Sequence, residues 1–218
     1  MLKSLSIKNR YFLFPYFLFL VVGAFFLARF CKGDLHLLIN RFHSHAFDLF
    51  FGWITFLGDG LFALAIGLAL LAVRYRYALM VLLSWGISSG ITQALKHFVF
   101  EGRVRPVLFF EGKTSLYLVP GIDMNSYYSF PSGHGTTAFA VYFCLALLSE
   151  KKGVKSALFV LTLLVAFSRV YLSQHFFEDI YFGSLVGMAS TVFCYWLMTS
   201  VIKNDGLDNS LLRKRSNS

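Results

Sequence analysis

Apolar residues run along this chain in long stretches separated by short polar breaks, with no polar face left for water. A helix needs about 20 mostly apolar residues to cross the hydrocarbon core of a bilayer. Runs and breakers together predict six spans, at 11–30, 56–73, 77–98, 133–149, 154–172 and 177–201. The second is the weakest. Its pure apolar core, LFALAIGLALLAV, has 13 residues and follows the turn signal GDG at 58–60. It crosses only if residues before Gly58 contribute or if it lies among other helices. The first run, Tyr11–Phe30, follows Lys3, Lys8 and Arg10 and has 20 residues. That exceeds the roughly 7–15 residues of a signal-peptide core, and no A-x-A site follows, so it reads as a retained membrane helix.

Composition agrees: 57% of the 218 residues are hydrophobic and 14% charged, against about 25% charged in a soluble domain. A soluble globular protein is excluded. Cys31, Cys144 and Cys194 are an odd count without paired spacing, which supports neither a disulfide framework nor a zinc site. Net charge then orients the spans. Six crossings put both termini on one side with the loops at 74–76 and 150–155, and that side holds 12 of the 20 basic residues and three of the 11 acids. The other side carries eight of each, so the whole excess of +9 falls on one face. The positive-inside rule makes that face cytoplasmic. The predicted fold class is therefore all-α: a polytopic membrane bundle of six transmembrane helices with both termini cytoplasmic. The basic tail over 203–218 reads as an orientation signal and anionic-lipid contact, not as a nucleic-acid site.

The remaining charges concentrate at the outer helix ends. Lys96 falls in the last turn of the third span, with Arg103 and Arg105 in the next loop. PSGHG (131–135) opens the fourth span, Arg169 closes the fifth, and His175 and Asp179 open the sixth. Ionisable groups at such depths are costly and mark sites. His175 and Asp179 are four apart and share a helix face, which permits two readings. The carboxylate holds one imidazole nitrogen and leaves the other as base or nucleophile, or it caps the sixth helix. PSGHG is a helix start whose free N–H groups suit a phosphate, but taken alone it reads first as a helix cap with an incidental histidine. Lys96, Arg105 and Arg169 match phosphate oxygens, although basic residues at interfaces also snorkel. Taken together, two histidines, one carboxylate, three cations and an anion-binding helix start make a set for metal-free phosphoryl transfer.

In these residues the chain resembles the type 2 phosphatidic acid phosphatases, relatives of the vanadium haloperoxidases. The family pattern is K-x6-RP, PSGH and SR-x5-H-x3-D. Pro131, Ser132, Gly133 and His134 match the second part, and Ser168, Arg169, His175 and Asp179 match the third with the spacing intact. The first part departs: eight residues separate Lys96 from Arg105-Pro106, whereas Arg103 keeps the spacing but precedes Val104. Because proline fixes the local backbone, Arg105 is the choice. The resemblance covers about 53–200, a catalytic core within a single integral membrane domain spanning 1–218. It implies that His175 is a nucleophile forming a phosphohistidine, oriented by Asp179. It makes His134 the acid for the leaving group and later the base for water. Lys96, Arg105, Ser132, Gly133 and Arg169 would cradle the phosphate, with vanadate as a transition-state mimic. No metal and no other cofactor is called for.

Other features have packing explanations. His36, His43 and His45 are expected on an interfacial helix with half-wet rings, forming one lip of a lipid entrance, rather than at a metal site. GISSG (86–90) and GSLVG (183–187) are small-xxx-small patterns expected at helix contacts. Glu178 reads as a solvated neighbour of Asp179, and Asp59 as part of the turn opening the second span. The loop Val107–Phe130 has 24 residues, too few for a large lid. The expected substrate is thus an amphiphile with an exposed phosphate: a polyprenyl diphosphate, phosphatidylglycerol phosphate, phosphatidic acid or a lipid A phosphate. Membrane lipids are the expected surroundings, with no nucleic acid and no obligatory protein partner. The expected location is a bacterial inner membrane, with the site facing the periplasm. The alternative is a non-enzymatic transporter or binder of anionic head groups, which predicts charges near the midplane and broken helices in both halves.

Overall fold

The computed structural model describes residues 7–212 of the chain and is helical throughout, with no strand among those residues. Its elements are α1 (Arg10–Arg29), α2 (Lys32–Asn40), α3 (His45–Ile54), a 3-10 turn (Thr55–Gly58) and α4 (Gly60–Leu70). There follow α5 (Tyr75–Ala94), extended by a π turn (Leu95–Val99), and the short α6 (Pro106–Phe110). The chain closes with α7 (Gly133–Leu148), α8 (Lys152–Tyr171) and α9 (Phe177–Trp196), the last extended by a π turn (Leu197–Val201). Four helices are long and apolar enough to cross a membrane: α1, α5 with its π turn, α8, and α9 with its π turn. The pair α3–α4 makes a fifth candidate, bent by 55°, and α7 is shorter at 16 residues. The second predicted span therefore starts earlier than expected. The residues before Gly58 are helical from His45, and the break at Asp59 replaces a simple helix start.

The polarity of the bundle is inverted relative to a soluble protein. Large apolar side chains such as Phe14, Phe17 and Phe25 point outward from α1, while Ser84, Ser88, Thr92, Thr136 and Thr191 are buried between helices. Without a hydrophobic drive between helices in lipid, close packing and interhelical hydrogen bonds hold such a bundle together. Thr92 Oγ1 donates to Thr136 Oγ1 at 3.2 Å and Thr191 Oγ1 to the Ala140 carbonyl at 3.0 Å. Helix α7 is the axle. Nearly every residue from Gly135 to Cys144 is buried, and α5, α8 and α9 all pack on it. Gly183 and Gly187 of α9 allow the closest approach. A Cβ on Gly187 would lie 2.5 Å from the Thr136 carbonyl oxygen and 2.9 Å from the Ala140 nitrogen.

The same reading fails for GISSG. A Cβ at Gly86 or Gly90 would meet nothing within 4 Å; the buried face of α5 is its serine and threonine side, Ser84, Ser88 and Thr92. At the end of the bundle opposite PSGHG, Arg76 caps the last turn of α9, donating to the Met198 carbonyl at 2.7 Å and pairing with Asp208 at 3.3 Å. Lys3 and the basic residues at 213–215 of the charge count lie outside the described residues. Replacing Gly187 with leucine should therefore force α9 off α7 and lower stability in detergent by about 1–3 kcal/mol, the usual overpacking cost. Gly86→Leu should leave the melting temperature near wild type. Thermal melts of the two variants check this.

Candidate active site

The C-terminal ends of α5 and α8 and the N-terminal ends of α7 and α9 meet at one buried cluster. Its centre is His175, 2% exposed, in the short link between α8 and α9. Two backbone bonds from the Arg169 carbonyl, to the N–H of Gln174 (2.9 Å) and of His175 (3.1 Å), fold the link back on the end of α8. His175 Nδ1 lies 3.2 Å from Asp179 Oδ2, which also accepts from the Phe176 N–H at 2.9 Å and from the Ser129 hydroxyl. One Asp179 oxygen thus both caps α9 and faces the imidazole, which leaves Nε2 as the ring nitrogen that Asp179 does not hold. Burial, and then the charges of Arg105, Lys96 and Arg169, push the His175 pKa well below the ordinary value, so the ring is neutral at neutral pH.

The second motif is tied to the third through the backbone, since the Ser132 N–H donates to the Asp179 carbonyl at 3.0 Å. Ser132 caps α7, accepting from the Gly135 N–H at 3.2 Å. At Gly133 a Cβ would meet nothing within 4 Å, so there is open space beside this one residue of the first turn of α7. His134 follows, with 28% of its side chain exposed and Nε2 3.9 Å from Asp59 Oδ2.

Three cations complete the cluster. Lys96 is buried in the π turn that ends α5. Arg105 is the residue before Pro106 at the start of α6. Its Nε donates to the Tyr127 carbonyl at 2.9 Å, and an Nη donates to the Gln174 carbonyl and Oε1 at 3.2 and 3.1 Å. Arg169 donates to the Thr55 hydroxyl at 2.7 Å, and its buried Nε has no partner among the described residues. Arg103 lies elsewhere, half exposed, 3.9 Å from Glu178. Glu178 is not a solvated neighbour: Lys32 (3.4 Å) and Arg103 share its carboxylate at the rim. Nor is His36 half-wet. It is 1% exposed, with Nε2 3.2 Å from the Ser173 hydroxyl and its ring stacked on Phe110. Burial pushes its pKa down to about 4. Among the described residues no group of three or more His, Cys, Asp or Glu side chains is placed to hold a metal ion.

Sequence reasoning missed four residues that touch this cluster: Thr55, Asp59, Ser129 and Gln174. Ser129 and Gln174 adjoin PSGH and His175 along the chain, so adjacency alone could have nominated them. Thr55 and Asp59 reach the cluster only because the chain breaks between α3 and α4.

A buried, neutral histidine backed by a carboxylate lies beside clustered cations and the start of α7, groups suited to binding an anion. Residues 77–203 match the family described as the PAP2 superfamily, and the chain belongs to it. It is accordingly a PAP2-type lipid phosphatase, a phosphoric ester hydrolase. Phosphatidylglycerophosphatase B of Bacillus subtilis (strain 168) is 32% identical over 149 residues, covering 62% of this chain and 67% of that protein. Among solved structures, Aquifex aeolicus LpxE superposes with a TM-score of 0.66 at 26% identity, over 74% of this chain and 93% of that one. The first transmembrane PAP2 type phosphatidylglycerolphosphate phosphatase from Bacillus subtilis has the same fold. Its TM-score is 0.64 at 23% identity, over 90% of this chain and 98% of that one.

Arg105→Ala should lower kcat/KM by about 10²–10³, the effect of deleting one donor to a transition-state oxyanion. Arg103→Ala, which removes a half-exposed contact with Glu178 and the faces of Phe100 and Phe130, should cost less. A larger loss in Arg103→Ala than in Arg105→Ala, measured as phosphate release, would reverse the assignment.

Proposed function

We propose that this protein removes phosphate from a lipid phosphate or diphosphate through a phosphohistidine on His175, at the outer face of a bacterial inner membrane. The observation that carries the reading is the His175–Asp179 pair, buried beside Lys96, Arg105 and Arg169. The Nε2 lone pair forms the N–P bond while the P–O bond to the lipid breaks and its electron pair leaves on oxygen. His134 gives that oxygen a proton. A water then attacks phosphorus, His134 takes its proton, and the N–P electron pair returns to Nε2. The cations and the N–H groups that open α7 stabilise the equatorial oxygens, where little covalent help is needed.

The outer placement rests on the charge asymmetry, and the amphiphilic substrate on a site at helix ends. Phosphatidylglycerol phosphate is the first lipid to test, because the 32% identical relative is named for that phosphatase activity. Polyprenyl diphosphate, phosphatidic acid and lipid A phosphate belong in the same panel. Detergent-purified protein without added metal should release phosphate from at least one of them, and His175→Ala should abolish the release. Acid-labile, base-stable phosphate should be trapped on the wild type. Release from none of them by folded protein would overturn the reading in favour of a head-group binder.

The neutral form of His175 is the nucleophile, so activity is lost as pH falls through its pKa. With that pKa depressed, the acid limb of kcat/KM should lie below the ordinary imidazole value of about 6.5. A limb at or above that value, moved by substitutions at Asp179, would contradict the electrostatics of the site.

A further inference from the structure

We infer that Asp59 is a positioning residue for the proton-transfer histidine, serving His134 as Asp179 serves His175. The inference rests on the phosphatase reading and concerns a residue outside the stretch 77–203 that matches the family. The two oxygens of Asp59 are divided between tasks. Oδ1 caps α4, accepting from the Leu61 N–H at 2.7 Å, and Oδ2 faces His134 Nε2 at 3.9 Å. Asp59 is held there by the turn before it, which is fastened at three points. Arg169 donates to Thr55, Tyr142 donates from its hydroxyl to the Leu57 carbonyl at 2.7 Å, and Gly58 presses on α7 and α8. A Cβ at Gly58 would stand 2.6 Å from Val165 Cγ1 and 3.3 Å from His134 Cβ. A side chain at Gly58 would collide with Val165 and crowd His134, so the turn that carries Asp59 rests on α7 and α8 at close range.

The chemistry supplies the reason. To act as the acid, His134 must carry a second proton, and Arg169, Lys96 and Arg105 all lie within electrostatic reach of it. A further positive charge among those cations needs a counter-charge. Asp179 is committed to His175, the Phe176 N–H and Ser129, and Glu178 to Lys32 and Arg103. Asp59 is the carboxylate that faces the ring. Facing Nε2 at 3.9 Å, beyond hydrogen-bond length, it favours a proton on that nitrogen through its charge, and leaves Nδ1 as the nitrogen that gives its proton to the departing lipid oxygen and later takes one from water. Asp59 keeps its charge throughout and exchanges no proton with substrate.

Asp59→Asn tests this, because asparagine caps a helix as well as aspartate does while removing the charge. The readout is kcat/KM, which covers steps only through formation of the phosphoenzyme, on an alkyl phosphate and on p-nitrophenyl phosphate. Asp59→Asn should lower kcat/KM on the alkyl ester about 10- to 100-fold, part of the roughly 10²–10⁴ that general acid–base catalysis contributes. It should leave the nitrophenyl ester, whose leaving group needs no acid, within about twofold of wild type. In a His134→Ala background the same substitution should add little, since two residues acting as a unit are not additive. Equal losses on both esters, no loss on the alkyl ester, or full additivity with His134→Ala would each overturn the inference. An inactive wild type would overturn the phosphatase reading and this inference with it; an active wild type with an unaffected Asp59→Asn would overturn this inference alone.

Discussion

The end of the bundle that carries PSGHG depends on the buried carboxylate of Asp179. Its Oδ2 gathers the His175 ring, the Phe176 N–H and the Ser129 hydroxyl, and its own backbone carbonyl takes the N–H of Ser132. One residue thus joins the start of α9, the α8–α9 link, the loop before α7 and the start of α7. An isolated carboxylate at this depth would cost several kcal/mol of lost hydration, so these donors are a condition of its presence. Once they are in place, the His175 ring is oriented relative to the start of α7 at Ser132 and Gly133.

The disposition of charge follows a simple division. Both arginines of the cluster are held by neutral groups: Arg105 by the carbonyls of Tyr127 and Gln174, Arg169 by the hydroxyl of Thr55. At the rim, by contrast, Lys32 and Arg103 share the carboxylate of Glu178. Neutral partners orient a guanidinium without cancelling its field, which in a low-dielectric setting remains available to an incoming anion. A carboxylate partner would have spent that field inside the protein. The same division separates Arg105 from Arg103, two residues apart in sequence and opposite in use.

Much of this was legible in the sequence because the informative spacings are short. The separation of four between His175 and Asp179 puts them on one helix face whatever surrounds them, and the helix start at PSGHG carries its own cap. Apolar run length gave the helices at 10–29, 133–148, 152–171 and 177–201 nearly to the residue. What was not legible depends on contacts between distant segments. Glu178 reads as solvated until α2 brings Lys32 to it. His36 reads as interfacial until Ser173 and Phe110 enclose it. GISSG and GSLVG have the same pattern, and only the choice of neighbour makes one a contact and the other a bare face. That choice is made by serines and threonines on α5, which hydropathy scores as interruptions.

The break between α3 and α4 shows why the hardest part to read lies where it does. A continuous helix over 45–70 would satisfy its own backbone and hide every polar group in the ladder. The chain instead gives up that regularity at Thr55–Gly58, and each resulting cost is met by a different neighbour: Tyr142 of α7 on the Leu57 carbonyl, Arg169 of α8 on Thr55, and Asp59 itself on the Leu61 N–H. The neighbours that mend the break include Arg169, a member of the buried cluster. Departures from local regularity persist where the surrounding structure over-determines them, and here the surrounding structure includes that cluster. The bend is the means by which a fifth helical segment, carrying a hydroxyl for Arg169 and a carboxylate facing His134, enters a cluster otherwise built from the ends of α5, α7, α8 and α9.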